Sequence, residues 1–272
     1  MIRIAKNDRW WLIRHMDHAR LAGKFASHWG NSLFTRPEPF EAILEGISRH
    51  DDAWATPDSN PNLTSEGEPA GFSKDLVGSY SAFENIDLAA YLEVRGAATE
   101  AVATDHPYAA VLVSMHTVNL LTEQADLSSL SADDGELHSR FIDRQRERQK
   151  ELIEIVRSDT KLAPFTEAES LSVAFRLLQA CDSLSLVICS RYPSAIDLRH
   201  AHPTTAGTDE TIHCTPLGDD HYRLDPYPFD IPSLTVEIPY REVPQADEPE
   251  LEAFRAAYSE AKDSCFSVTI TD

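Results

Sequence analysis

The stretch Thr166–Tyr192, TEAESLSVAFRLLQACDSLSLVICSRY, decides the fold, because its apolar residues recur with the period of a long, buried α-helix. One face of this helix consists of residues three and four positions apart: Leu171, Phe175, Leu178, Asp182, Ser185 and Cys189. The pattern places the carboxylate of Asp182 in the middle of an apolar seam. An unpaired buried carboxylate is energetically costly, so Asp182 needs a partner, which is either a cation or a basic side chain such as Arg148.

Two earlier segments are also predicted helices with a histidine on an apolar face. The first helix presents its apolar residues together with His18: Leu21, Ala22, Phe25 and Trp29. The second helix ends at His50, on the face that carries Phe40, Ile43, Leu44 and Ile47. A buried imidazole needs a hydrogen-bond partner or a metal, and a single histidine of this kind is commonly a hydrogen-bonded core residue.

Taken together, these polar groups predict a metal site. Asp51 follows His50 directly, and by itself it could be a turn residue at the end of a helix. One cation bound by His18, His50, Asp51 and Asp182 would satisfy all four groups at once. A mixed set of nitrogen and oxygen ligands suits manganese, iron, nickel or magnesium, so we predict a divalent metal at this site.

The alternation of apolar and polar residues changes along the chain. Residues 1–14 alternate with a period of two and predict a hairpin, and several short alternating runs lie between residues 205 and 272. Helical periodicity dominates in between. We therefore expect a mainly α fold and a single domain over 1–272: a helical bundle over about 15–193, and a β-rich appendage formed by 1–14 and 205–272 that contributes a small antiparallel sheet.

A long irregular segment follows the second helix. Residues 55–78 contain several prolines and glycines, a composition typical of loops that border functional sites. Three side chains in or next to this loop, Trp54, Asp58 and Phe72, are predicted to line a substrate pocket beside the metal. The alternative is that they only anchor the loop to the fold.

Composition limits the classes of partner. The formal net charge of −21 opposes binding to duplex nucleic acid or to an anionic membrane surface. The four cysteines form no CxxC pair, and the sequence shows neither a signal peptide nor a membrane span, so we expect a cytoplasmic protein with reduced thiols. A small-molecule substrate is the expected partner, and a homo-oligomer remains open.

The order His18, His50–Asp51, Asp182 resembles the HD-domain superfamily, whose helical enzymes bind metals through a histidine, a later His-Asp doublet and a distant aspartate. A resemblance that covers more of the chain is to the family called domain of unknown function 3891. It rests on the strings DHARLAGKFASHWG, ISRHDDAWATPDSNPNL, EGEPAGF, YAAVLVSMHTVNLL and LLQACDSLSLVICSRY. The motifs of this family include Asp17, His18, Asp52, Trp54 and His116, but the family implies no activity.

The HD resemblance implies a metal-dependent hydrolase of small phosphoesters or nucleotides, in which Asp52 or His116 would transfer protons. One alternative is an HD-like diiron oxygenase, which would need both His116 and His106 as additional ligands. A second alternative is a non-catalytic protein that binds a ligand or takes part in an assembly.

Overall fold

The computed structural model describes residues 1–77, 81–82 and 87–272. The helices are α1 (His15–Ser27), α2 (Phe40–Arg49), α3 (Ala55–Ser59), α4 (Leu88–Ala103), α5 (Pro107–Thr122), α6 (Ala132–Arg157), α7 (Ala168–Cys189) and α8 (Leu251–Glu260). The strands are β1 (Ile2–Lys6), β2 (Arg9–Ile13), β3 (Ser81–Ala82), β4 (Ala125–Asp126), β5 (Ile196–Pro203), β6 (Asp209–Gly218), β7 (His221–Asp225), β8 (Ser233–Pro244) and β9 (Asp263–Thr271). The helices expected from periodicity are present, including α7 around Asp182.

The sheet is much larger than the sequence predicted. Seven strands form one curled sheet in the order β1-β2-β8-β9-β7-β6-β5, and 24% of the chain is in strands. The expectation of a mainly α, HD-like bundle with a small antiparallel sheet is therefore wrong. The sheet is also mixed, because β7 and β9 run parallel.

The sheet is large because the N-terminal hairpin joins the strands from the C-terminal part of the chain. The N-terminal hairpin does not stand alone, because β2 pairs with β8 from Arg9↔Pro244 to Leu12↔Arg241 and so joins the two ends of the chain. Strand β5 lies at the opposite edge, and its register shifts between Asp197 and Ala201. His200 within this irregularity has a positive φ of 66°, so the alternation that marks a strand is interrupted there.

Helices and sheet bury a common hydrophobic core. Helix α7 packs against α1 and α5 on one side and against β5 on the other. Among the buried core residues are Phe25 and Leu184 of these helices and Leu224 and Val268 of the sheet. Five helices pack around the region of Asp182: α1, α2, α4, α5 and α7.

Helix α7 is the one helix in the described ranges that is long and apolar enough to cross a membrane. About two thirds of its most apolar window is buried inside the protein, where it contacts α1, α5 and β5. These contacts explain its apolar composition as that of a core helix. The cytoplasmic location remains a prediction.

Gly23 sets the close approach of α1 and α2. A Cβ at this position would lie 2.9 Å from Ser48 Cβ and 3.1 Å from the Ser48 Cα atom, so the backbone of one helix would have to move. Because overpacking is destabilising, we expect Gly23→Ala to lower the free energy of unfolding by about 1–3 kcal/mol.

The matched control for this prediction is Gly135→Ala in α6, where nothing lies within 4 Å of the added Cβ. Because alanine favours helix over glycine, this variant should be stabilised by about 0.5–1 kcal/mol. Urea unfolding of both variants measures the difference. Equal effects of the two substitutions would contradict the assigned packing of α1 on α2.

Candidate metal site

The four predicted ligands come together in the interior, with one further histidine. His18 lies on α1, His50 and Asp51 follow at the end of α2, Asp182 lies in the middle of α7, and His116 lies on α5. None of these five residues is more than 8% exposed. Two groups of potential ligand atoms result, one from His18, His50 and Asp51 and the other from His50, His116 and Asp182.

Within each of the two groups, the ligand atoms are close enough to bind an ion. His18 Nε2 lies 2.9 Å from Asp51 Oδ2, and His50 Nε2 lies 3.9 Å from the same oxygen. Asp182 Oδ1 is 3.3 Å from His50 Nε2, and Asp182 Oδ2 is 3.8 Å from His116 Nε2. Two ligand atoms at about 2.1 Å from a common ion are about 3 Å apart when they subtend a right angle, and more at wider angles.

His50 provides the strongest sign that the cluster can bind a cation. Its Nδ1–H donates to the carbonyl oxygen of Ile47 over 2.7 Å, which leaves a lone pair on Nε2 of the neutral ring. Nε2 is buried and makes no hydrogen bond with the described residues, although it faces the carboxylates of Asp51 and Asp182. A lone pair that faces two carboxylates requires a proton or a metal ion between them.

His18 is oriented in a similar way. The hydroxyl of Ser185 donates to the carbonyl oxygen of Asp182 over 2.8 Å, so its oxygen accepts from His18 Nδ1–H over 3.0 Å. The other ring nitrogen, Nε2, lies within hydrogen-bonding distance of Asp51 Oδ2, at 2.9 Å, and is the atom that could bind a metal. Metal-binding histidines are characteristically held by such a hydrogen bond from the second ring nitrogen.

Arg95 of α4 is part of the site, and the sequence reasoning missed it. Its Nη1 donates to Asp51 Oδ1 over 2.8 Å, which leaves Oδ2 facing the two histidines. A signal was present in the sequence, because the buried residues of α4 include Leu88, Leu92, Arg95, Thr99 and Val102 at steps of four, three, four and three. This is the same kind of seam that identified Asp182.

Burial and neighbouring charges act in opposite directions on the pKa values. Burial alone would lower the pKa of His50, but the charges of Asp51 and Asp182 outweigh it and raise the pKa to about 9. Burial lowers the pKa of His116 to about 3. Burial acts to raise the pKa of Asp51, but the charges of Arg95 and His50 hold it below the ordinary value. Burial acts in the same direction on Asp182, whose pKa His50 and His116 hold below the ordinary value. Without metal, His50 therefore carries the proton between two ionised aspartates.

The structure places the other predicted site residues outside this cluster. Asp52 pairs with Arg20 and with Arg49, each over 2.8 Å, so its carboxylate is already neutralised. Arg148, considered as a partner of Asp182, pairs instead with Glu100 and Glu151.

His106 is also away from the cluster. Its side chain is 40% exposed, and Nε2 lies 3.9 Å from a carboxylate oxygen of Glu45.

The predicted pocket residues divide into different roles. Trp54 stacks on His15 with ring centroids 4.2 Å apart and lies under Arg95. Asp58 is 3% exposed and holds the start of α1, because it accepts from the backbone N–H of His15 and pairs with the Met1 nitrogen over 3.0 Å. Phe72 exchanges backbone hydrogen bonds with Met1 and Arg3. Trp54 contacts the cluster directly, because its backbone N–H donates to the carbonyl oxygen of Asp51 over 3.0 Å.

Comparison with known proteins connects the chain with one family. A family model described as protein of unknown function (DUF3891) matches residues 1–245. No curated protein and no solved structure matches the chain. None of these comparisons supports a relation to the HD-domain superfamily.

Proposed function

Because the chain belongs to a family of unknown function, DUF3891, we propose its function from the site: a metal-dependent hydrolase of small phosphoesters or nucleotides. The ligands are His18, His50, Asp51 and Asp182. The observation that carries this proposal is the buried Nε2 of His50, which has no hydrogen-bond partner in the described part of the chain and faces two carboxylates.

The geometry favours one ion per chain. Both groups of potential ligands contain His50, and its Nδ1 already donates to Ile47, so only Nε2 can bind a metal. One imidazole nitrogen serves one ion. A diiron centre would need additional ligands, and His106, which was expected to supply one, is exposed and lies beside Glu45. Two histidines together with two carboxylates favour manganese, iron or nickel over magnesium.

The roles of the side chains follow from their positions. A divalent cation in this site would lower the pKa of a bound water and polarise a phosphoryl oxygen. His116 Nδ1 is buried and has no hydrogen-bond partner among the described residues, so it can accept a hydrogen bond from water or substrate. Burial lowers its pKa to about 3, so the ring is neutral at pH 7 and acts as a hydrogen-bond acceptor that positions a water or substrate rather than as a proton carrier. Asp52 has no part in this chemistry, because its two arginine partners occupy it.

The first test is metal content and hydrolysis. Elemental analysis after loading with manganese or iron should give one ion per chain, and the loaded protein should hydrolyse members of a panel of phosphomonoesters, phosphodiesters and nucleotides. Asp182→Asn, which keeps the shape of the side chain, should lose both the metal and the activity. A fully loaded protein that is inactive on the whole panel would instead indicate a non-catalytic metal protein.

A further inference from the structure

Arg95 has hydrogen-bonding capacity that the proposed metal site does not use. Its Nε donates to the hydroxyl of Tyr91 over 3.1 Å and its Nη1 to Asp51. No residue in the described ranges accepts a hydrogen bond from Nη2. The side chain of Arg95 is 10% exposed, so it is not fully enclosed by the described residues.

Trp54 offers a second donor without an acceptor. Its indole Nε1 is buried and makes no hydrogen bond within the part of the chain that the structure describes. The ring lies 5.2 Å from the Arg95 guanidinium carbon and stacks on His15 on another side. A buried tryptophan N–H normally finds an acceptor, so its lack of one here is informative.

The Arg95 guanidinium group and the Trp54 indole N–H can only donate hydrogen bonds, and neither can accept one. The charges near them also select for an anion. Asp51 and Asp182 together balance a divalent cation. The guanidinium group of Arg95 therefore adds a positive charge beside the metal-loaded cluster, although the protein as a whole has a charge of −21.

We propose that Arg95 and Trp54 form an oxyanion-binding subsite beside the metal, which holds a phosphate or carboxylate group of the substrate. This inference rests on the proposed function, because the charge argument requires the cation. It adds the class of group that the site recognises, and it adds two residues that select the substrate. Guanidinium groups bind such oxygens well because they present several donors in one plane.

A simpler reading is that Arg95 only holds Asp51 in place. Trp54→Phe separates the two, because phenylalanine keeps an aromatic ring under Arg95 and removes only the N–H donor. We expect this variant to bind manganese as the unchanged protein does and inorganic phosphate about tenfold more weakly, the effect of losing one hydrogen bond to a charged acceptor. Arg95→Lys keeps the charge and should also weaken phosphate binding about tenfold.

The measurement is calorimetric titration of the manganese-loaded full chain with inorganic phosphate and, separately, with acetate. Binding of phosphate alone identifies a phosphate group, and binding of acetate alone identifies a carboxylate. Trp10→Phe is the matched control, because Trp10 lies on β2 and contacts a different cluster.

Two results would overturn the inference while the metal site stands: a loaded protein that binds neither anion, or full phosphate affinity in Trp54→Phe. Failure to bind manganese at all would overturn the proposed function and the inference with it. Because metal content is measured before the anion titrations, the two kinds of failure are distinguishable.

Discussion

Replacing His50 by alanine should lower the affinity of the protein for manganese more than about 100-fold. The loss of residues that only orient a metal ligand costs about 10- to 100-fold in affinity, and His50 is a ligand that belongs to both groups of candidate atoms. Its removal leaves Asp51 and Asp182 facing each other without the imidazole between them. No other substitution of a single side chain in the cluster removes ligands from both groups.

The matched control is His106→Ala, because the His106 side chain is 40% exposed and lies 3.9 Å from Glu45, away from the cluster. Competition with a fluorescent chelator measures both affinities, and circular dichroism of the metal-free proteins checks that both variants fold. If His50→Ala and His106→Ala bind manganese equally well, the assigned site is wrong. A folded His50→Ala protein with unchanged metal content leads to the same conclusion.

Helical periodicity could identify most of the proposed ligands, because it depends only on residues within one or two turns. A carboxylate in the seam of α7 and histidines on the apolar faces of α1 and α2 are visible in the sequence without any knowledge of tertiary structure. The requirement that a buried polar group has a partner then connects the three helices. The structure brings His18, His50 and Asp51 together in one group of potential ligand atoms and His50, His116 and Asp182 in another, so the four predicted residues lie in adjoining groups that share His50.

The ion pair of Arg95 with Asp51 could not be predicted from the sequence. It occupies the seam of α4 as Asp182 occupies the seam of α7, but its partner Asp51 lies 44 positions earlier in the chain. A long, flexible cation can reach many carboxylates, so its position on a helix face does not specify which one it pairs with. The same difficulty affected Asp52, whose two arginine partners could not be assigned from the sequence.

The sheet could not be predicted for a different reason. Alternation identifies strands one at a time, whereas the size of a sheet depends on which strands pair. The pairing of β2 with β8 joins residues more than 230 positions apart, such as Trp10 and Val243. Strand β5 was missed altogether, because the irregularity around His200 removes the alternation on which the method relies.

The affinity for metal should increase about tenfold for each pH unit between pH 6 and pH 8. Metal binding requires the lone pair of His50 Nε2, and in the metal-free protein the pKa of His50 is raised to about 9 by Asp51 and Asp182, so most molecules carry a proton there at neutral pH. The cation must displace this proton, and as the pH falls the proton competes more strongly.

The two aspartate ligands do not change this sign. The pKa of Asp51 and that of Asp182 are held below the ordinary value, so both carboxylates are already deprotonated throughout the range. We therefore expect about one proton to be released per metal bound at pH 7. Calorimetric titration with manganese in two buffers of different ionisation enthalpy measures this number directly. An affinity that stays constant from pH 6 to pH 8, with no proton released, would show that no proton occupies the position between His50 and the two aspartates, and that the cation does not bind there.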